Sequence, residues 1–351
     1  ANGENGALLL EPSRQQLIPF SEYFGGSDWS KLAGVSLTDN ATISPDGSQN
    51  ATHITWATSG SNTQLYDVIQ TTGTMQVLSL FVKYISGSGT GFRLSKSSSI
   101  DYGINLEFSN NGATLTGTPG VNVSSYKIED YGNKWFRVSV VINWSSSSLE
   151  YNLFRYSGTG TDVYAIWGAQ AELNATYATS YIPNHGTSGG VTRAKDSAIT
   201  LSVPDVIGQT EGTWFVEYNR NSLAESSYMV LSFLTGTTSG SYGNSIYLFQ
   251  LANGNFVSDS FVSNANQFGF IKNGGLSLGK HKIAIAYKQN DFALYIDGVQ
   301  IGTDTSGNVP QMNYLTIGGG ADVIGHRQSI HQTALFKERL TNAELATLTT
   351  L

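Results

Sequence analysis

Two carboxylates spaced two or four residues apart on one strand would supply the nucleophile and acid of a retaining glycosidase, because alternate strand residues share a face. The chain contains no Glu-x-Asp-x-x-Glu run, and its nearest pair, Glu129-Asp130, is adjacent and faces opposite sides of a strand. The five histidines, His53, His185, His281, His326 and His331, are scattered, so they form no closely spaced metal-binding pair. No P-loop is present, and zero cysteines exclude a thiolate metal site or a disulfide scaffold. The residues therefore predict a protein that is not an enzyme.

Binding chemistry is better supplied. The apolar face of a pyranose stacks on an exposed aromatic ring while flanking Asn, Gln and Asp read its hydroxyls. Trp144, before the Ser145–Ser148 run, is the first candidate for such a ring, followed by Trp56 and Tyr66. In the second half Tyr242 lies in a Ser-Gly-rich stretch, and His326-Arg327 lies in another. Trp135, Trp167 and Trp214 fall within alternating strand patterns and are expected in the core, whereas Trp29 is expected to shield a sandwich edge.

These side chains must be carried by strands. Charged residues make up 13% of the 351, against roughly 25% in an average soluble chain, and 39 are Gly. Helix formers such as Glu, Lys and Arg are thus scarce, and Ser, Thr, Asn and Gly supply the polar surface. Short runs such as 74–84, 104–108, 135–143, 164–167, 213–218, 245–251 and 283–288 alternate with turn clusters, which predicts an all-β chain of two antiparallel sandwiches. Ile283, Ile285 and Tyr287 alternate with alanines, and Phe292, Leu294 and Ile296 follow a polar turn. Asp297-Gly298 then signals a tight hairpin, completing a three-stranded meander. Thr341 and Glu344 form a capping box for one short C-terminal helix, with Leu340 stapling onto Leu345. The polar stretch 183–197 sets the boundary, giving domains 1–187 and 188–351. A net charge of −7 without a basic stripe argues against nucleic acid, and no apolar run is long enough to insert in a membrane as a helix. The opening Ala-Asn-Gly-Glu-Asn-Gly reads as the cut end of a longer chain.

The motifs themselves carry a resemblance. The segment beginning His281-Lys-Ile-Ala-Ile-Ala-Tyr-Lys and continuing Phe292-Ala-Leu-Tyr-Ile-Asp-Gly-Val resembles the core meander of concanavalin A-like (laminin G-like) lectin domains. Tyr314-Leu-Thr-Ile-Gly-Gly and the closing phrase from Phe336 extend it to the end of the chain, in a form similar to modules of phage tail and fibre proteins. The first half resembles a carbohydrate-binding-module-like jelly roll of phage structural proteins. Its landmarks are Leu8-Leu-Leu-Glu-Pro-Ser-Arg, Ser44-Pro-Asp-Gly, Gly132-Asn-Lys-Trp-Phe-Arg-Val-Ser, Ile166-Trp-Gly-Ala-Gln-Ala-Glu and Ala178-Thr-Ser-Tyr-Ile-Pro. Ser329-Ile-His331 is similar to part of a polysaccharide-lyase segment, but the accompanying Tyr-Lys-Gly-Tyr run is missing, so His331 is expected to be a plain strand residue.

The resemblance implies a tail spike, tail fibre or head fibre module on the virion surface, in the extracellular medium. Its partners would be host surface polysaccharide and other virion proteins, and a homo-oligomer is compatible with it. Relatives of this shape often carry a structural calcium between the first and last jelly-roll strands. Here Glu22 would contribute from the first, but Gln170 stands where an Asp is usual. In the second half Asp322 is the corresponding candidate, with Asp259 and Asp304 as alternatives. Two other readings stay open: a purely structural decoration or connecting protein of the virion, and an accessory carbohydrate-binding module of a secreted polysaccharide-degrading enzyme.

Overall fold

The computed structural model describes residues 7–32, 34–57, 63–70, 75–109, 112–144, 148–158, 160–196, 199–221, 228–237, 243–251, 253–317 and 328–351. The chain is nearly all β, with 57% in strands and 4% in helix. It divides into two compact units. One is Arg14–Arg193, and the other is Ala194–Leu351 together with the described residues up to Ser13.

The first unit stacks two six-stranded antiparallel sheets. In one, the neighbours run Gly112–Leu115, Gly103–Ser109, Phe92–Ser95, Ser148–Arg155, Gln64–Gln70, Ser30–Lys31. In the other they run Val123–Asp130, Trp135–Asn143, Met75–Ser86, Asp162–Leu173, Ala51–Trp56, Val35–Thr42. Strand alternation explains the core between them. Leu149, Tyr151 and Leu153 project inward from one sheet, and Leu78, Leu80 and Val82 meet them from the other. The far side of the second sheet is also covered: Phe81, Trp135 and Trp167 pack there with Tyr131 and Tyr181. Gly168 sits in a bulge of that sheet at φ +63, where a Cβ would lie 3.0 Å from the Phe81 ring.

One end of this sandwich is tied by ions. Arg155 Nη2 lies 2.5 Å from Asp162 Oδ2, and both side chains are fully buried. Arg155 also donates to the Trp56 and Gly160 carbonyls at 3.0 and 2.7 Å. Asp162 accepts from the Ser88 and Gly89 backbone N–H groups and from the Ser88 hydroxyl.

In the second unit, one six-stranded sheet orders Leu8–Leu10, Gln328–Phe336, Glu211–Arg220, Gly279–Lys288, Asp291–Ile296, Val299–Asp304. The last three are the meander read from the sequence, with Asp297 and Gly298 both at positive φ in the turn. The other sheet orders Ile199–Ser202, Tyr314–Ile317, Tyr228–Thr235, Asn244–Leu251, Phe256–Val262, Ala265–Lys272. The helix Asn342–Thr349 carries the full Thr341–Glu344 capping box and seats Leu345 against Phe215, Ala284, Ala286 and Tyr295. That covers the outer side of the meander sheet.

The opening strand departs from the sequence reading. Leu8-Leu9-Leu10, taken as the start of a first domain 1–187, pairs with Ile330, Ser329 and Gln328 in the second unit. Leu10 is buried there with Trp214, Tyr218 and Ile330. Glu11 and Asp196 then exchange hydrogen bonds of 2.7 and 3.0 Å. The chain passes into the first unit beside the point where it returns, since Arg14 pairs with Arg193.

Two outcomes follow from these contacts. Replacing Asp162 by Asn strands the Arg155 charge in the interior and is expected to cost about 3–5 kcal/mol. Urea unfolding of the intact chain followed by Trp fluorescence reads it, because five of the six tryptophans lie in the first unit. Deleting residues 1–13 removes Leu10 from the second core, and calorimetry should show that unit melting about 5 °C lower or more, with the first unit unchanged.

Candidate functional site

Each sandwich has one outer sheet face covered by its own chain, which directs attention to the opposite faces. In the first unit that is the outer face of the sheet containing Ser148–Arg155. Inward Leu65 and Leu149, Tyr151 and Leu153 force their neighbours outward, so Gln64, Tyr66 and Val68 line up beside Phe154, Asn152 and Glu150. Phe154 stands opposite Gln64, Asn152 opposite Tyr66, and Glu150 opposite Val68. Directly opposed side chains have Cβ atoms about 4.5–5.5 Å apart, so these six form one contiguous patch.

Asn152 is the hub of the patch. Its side chain is fully buried, and its amide Nδ2 donates to Gln64 Oε1 at 2.6 Å and to Glu150 Oε1. The hub fixes one atom of each neighbour and leaves the Gln64 amide N–H groups and the second Glu150 oxygen without a hydrogen bond among the described residues. Tyr66 is half-buried and Val68 is 51% exposed, so a ring and an aliphatic surface lie between a donor and an acceptor. On the next strand Arg93 is already engaged. It donates to Asn105 Oδ1 at 2.7 Å and to the Ser98 carbonyl, and lies over the Phe154 and Tyr156 rings at 5.2 and 5.0 Å. Burial pushes its pKa down, and it serves as a wall of the patch.

Of the aromatic candidates, Tyr66 is on this face. Trp144 borders it in a closed arrangement: its indole N–H donates to the Ser148 carbonyl at 3.0 Å, Tyr102 abuts it edge-on, and the Lys96 ammonium sits 3.1 Å from the ring centre. Burial lowers the Lys96 pKa there. A sugar would have to displace that ammonium to stack. Trp56 is no surface residue at all. It is fully buried against Phe92 and Tyr164 at 5.0 and 5.5 Å, because in Ala51–Trp56 it shares the inward face with Ile54. Tyr242, His326 and Arg327 lie outside the described residues.

Glu22 is held by donors. Its carboxylate accepts from the Tyr181 hydroxyl at 2.9 Å and the Asn50 amide at 3.2 Å, with His185 Nδ1 at 4.0 Å. Asp46 shares the Asn50 amide at 3.3 Å; burial pushes its pKa up, but hydrogen bonds from Ser44, Ser48 and Asn50 outweigh that and hold it low. Gln170 turns elsewhere, accepting from the Ile182 N–H at 2.7 Å. Asp322 lies outside the described residues, among which no group of three or more His, Cys, Asp or Glu side chains converges. His331 lies in the strand Gln328–Phe336.

Sequence reasoning missed Gln64, Glu150 and Asn152. The signal was the alternation Leu149-x-Tyr151-x-Leu153, which places Glu150 and Asn152 outward. It read Asp259 only as an alternative calcium ligand. That residue sits mid-strand, opposite Tyr247 and Gly269, with its pKa pushed up to about 6 by burial.

Comparison with protein families and with curated proteins returns no match. Among solved structures, the CBM40 of the Ruminococcus gnavus IT-sialidase shares 15% identity over 44% of this chain and 97% of that one, with a TM-score of 0.35. The NanB sialidase from Streptococcus pneumoniae shares 14% over 43% of this chain and 26% of its own, with a TM-score of 0.35. The SAP-like pentraxin from Limulus polyphemus shares 13% over 43% and 71%, with a TM-score of 0.31.

Proposed function

We propose that the chain is a non-enzymatic glycan-binding protein, displayed on a phage virion, whose first sandwich engages host surface polysaccharide during adsorption. The observation that carries it is the Gln64–Tyr66–Glu150 patch. Asn152 pre-orients an amide donor and a carboxylate acceptor on either side of an accessible tyrosine ring. A pyranose presents the matching surface: an apolar C–H face bordered by hydroxyls that both donate and accept. Ordering the two polar groups in advance lowers the entropy cost of binding.

The composition fits the same role. With 13% charged residues, the patch works through amides and a ring more than through ion pairs, so salt should weaken it little. Single shallow sites of this kind are weak. Linked copies on a particle would raise avidity by about 10²–10⁴.

A glycan array probed with the multivalent protein tests this. Binding to host surface polysaccharide is expected, and Tyr66→Ala should weaken it about tenfold or more while leaving the melting transition in place. Absence of any glycan bound by the wild-type protein sinks the reading. Soluble protein should also compete with phage adsorption, which a purely structural virion protein would not do. No reducing ends or unsaturated sugars should appear in the polysaccharide.

A further inference from the structure

The inner side of the same strand carries a second feature. Asp67 alternates with Tyr66 and Val68, so it points away from the patch, toward the edge of the first sandwich. It is 6% exposed, and among the described residues its Oδ2 has no hydrogen-bond partner. A cavity of about 220 Å³ opens beside it, lined by Asp67, Leu17, Pro19, Val68, Ile69, Gln70 and Gly189.

An unpartnered buried carboxylate is costly, and most such groups are paired or hydrogen-bonded. Burial, and secondarily the charge of nearby Asp28, pushes the Asp67 carboxyl up to about 6, against the Val68 N–H that favours its ionised form. Asp67 therefore places a negative charge in a cleft whose other lining residues are mostly apolar. A calcium ion would require six to eight oxygens, and of the lining residues Asp67 and Gln70 alone carry side-chain oxygens. A primary ammonium needs far fewer acceptors and satisfies Asp67 with a charge-assisted hydrogen bond. The cavity is about seven times the ~30 Å³ share of a liquid water molecule, room for a single pyranose ring against those apolar walls.

We propose that this cleft is an amino-sugar subsite, in which Asp67 receives the free ammonium of one hexosamine unit. It builds on the reading of the chain as a glycan binder, but the Asp67 side chain points away from Tyr66, so either site can fail alone.

Titration of the methyl-labelled intact chain with D-glucosamine at neutral pH tests it, with D-glucose, N-acetyl-D-glucosamine and n-butylamine as comparisons. Glucosamine should saturably shift the Leu17 and Ile69 methyl signals. Glucose and the acetylated sugar, lacking the ammonium, should bind about tenfold more weakly or worse, and butylamine, lacking the ring, should also be weaker. Asp67→Asn should lose about tenfold while keeping the methyl spectrum of the folded protein. Equal binding of N-acetylglucosamine or glucose overturns the ammonium assignment, and butylamine as tight as glucosamine overturns the sugar. No methyl shift with glucosamine, or Asp67→Asn within about twofold of wild type, overturns the site. Should Asp67→Asn fail to fold, the ranking of the four ligands on the wild-type chain still decides.

Discussion

The first sandwich depends on one buried ion pair. Arg155 and Asp162 are both removed from water, and taking away either partner would leave the other's charge buried without compensation. Arg155 ends one strand of the patch-bearing sheet, and Asp162 begins a central strand of the opposite sheet. Their contact therefore fixes the two layers against each other at that end. The hydrogen bonds to Trp56 and Gly160, and from Ser88 and Gly89, bring two further loops under the same constraint. Asn152 lies three residues from Arg155 on the same strand. Its register against Tyr66 is held by a strand whose end cannot move without exposing a charge.

A second constraint decides where a ligand can go. A six-stranded sheet has two faces, and stacking two sheets into a sandwich consumes one face of each. In the first unit Trp135, Trp167, Phe81 and Tyr181 close the outer side of one sheet; in the second, Leu345 and its helix do so. The opposite outer faces carry the unusual side chains: Gln64, Tyr66 and Glu150 in one, Asp259 in the other. Aromatics placed at closed faces are cement, whereas Tyr66 on the open face keeps part of its ring in solvent.

Legibility in the sequence followed the range of the interaction. The Thr341–Glu344 capping box and the Asp297-Gly298 turn are set by atoms three or four residues apart, and both stand where the residues place them. Trp135–Asn143 is strand from end to end, because its apolar run needs only its own pattern. The pairing of Leu8 with Ile330 spans almost the whole chain, and nothing near Leu8 announces it. Trp56 was misplaced by chemistry taken without parity: its ring suits a sugar, but Ile54 two residues earlier assigns it to the core. Asn152 was missed for the converse reason. Its fully buried amide matters through Gln64 and Glu150, one on another strand, and composition does not reveal such a hub.

The strand Gln64–Gln70 serves both faces of its sheet. Its period of two sends Gln64 and Tyr66 to one side of the sheet and Leu65, Asp67 and Ile69 to the other. A slip of one residue in its pairing with Ser148–Arg155 would put Asp67 on the open face and Tyr66 in the core, exchanging the roles of the two sides. Tyr66 opposite Asn152 and Asp67 opposite Tyr151 are thus one structural fact seen from two faces. The core residues Leu65 and Ile69 enforce it, because each would face water in the slipped register. Hydrophobic burial in the middle of the sandwich therefore selects which ligand chemistry each side of this strand presents, a ring with amide and acid outside and a lone carboxylate within.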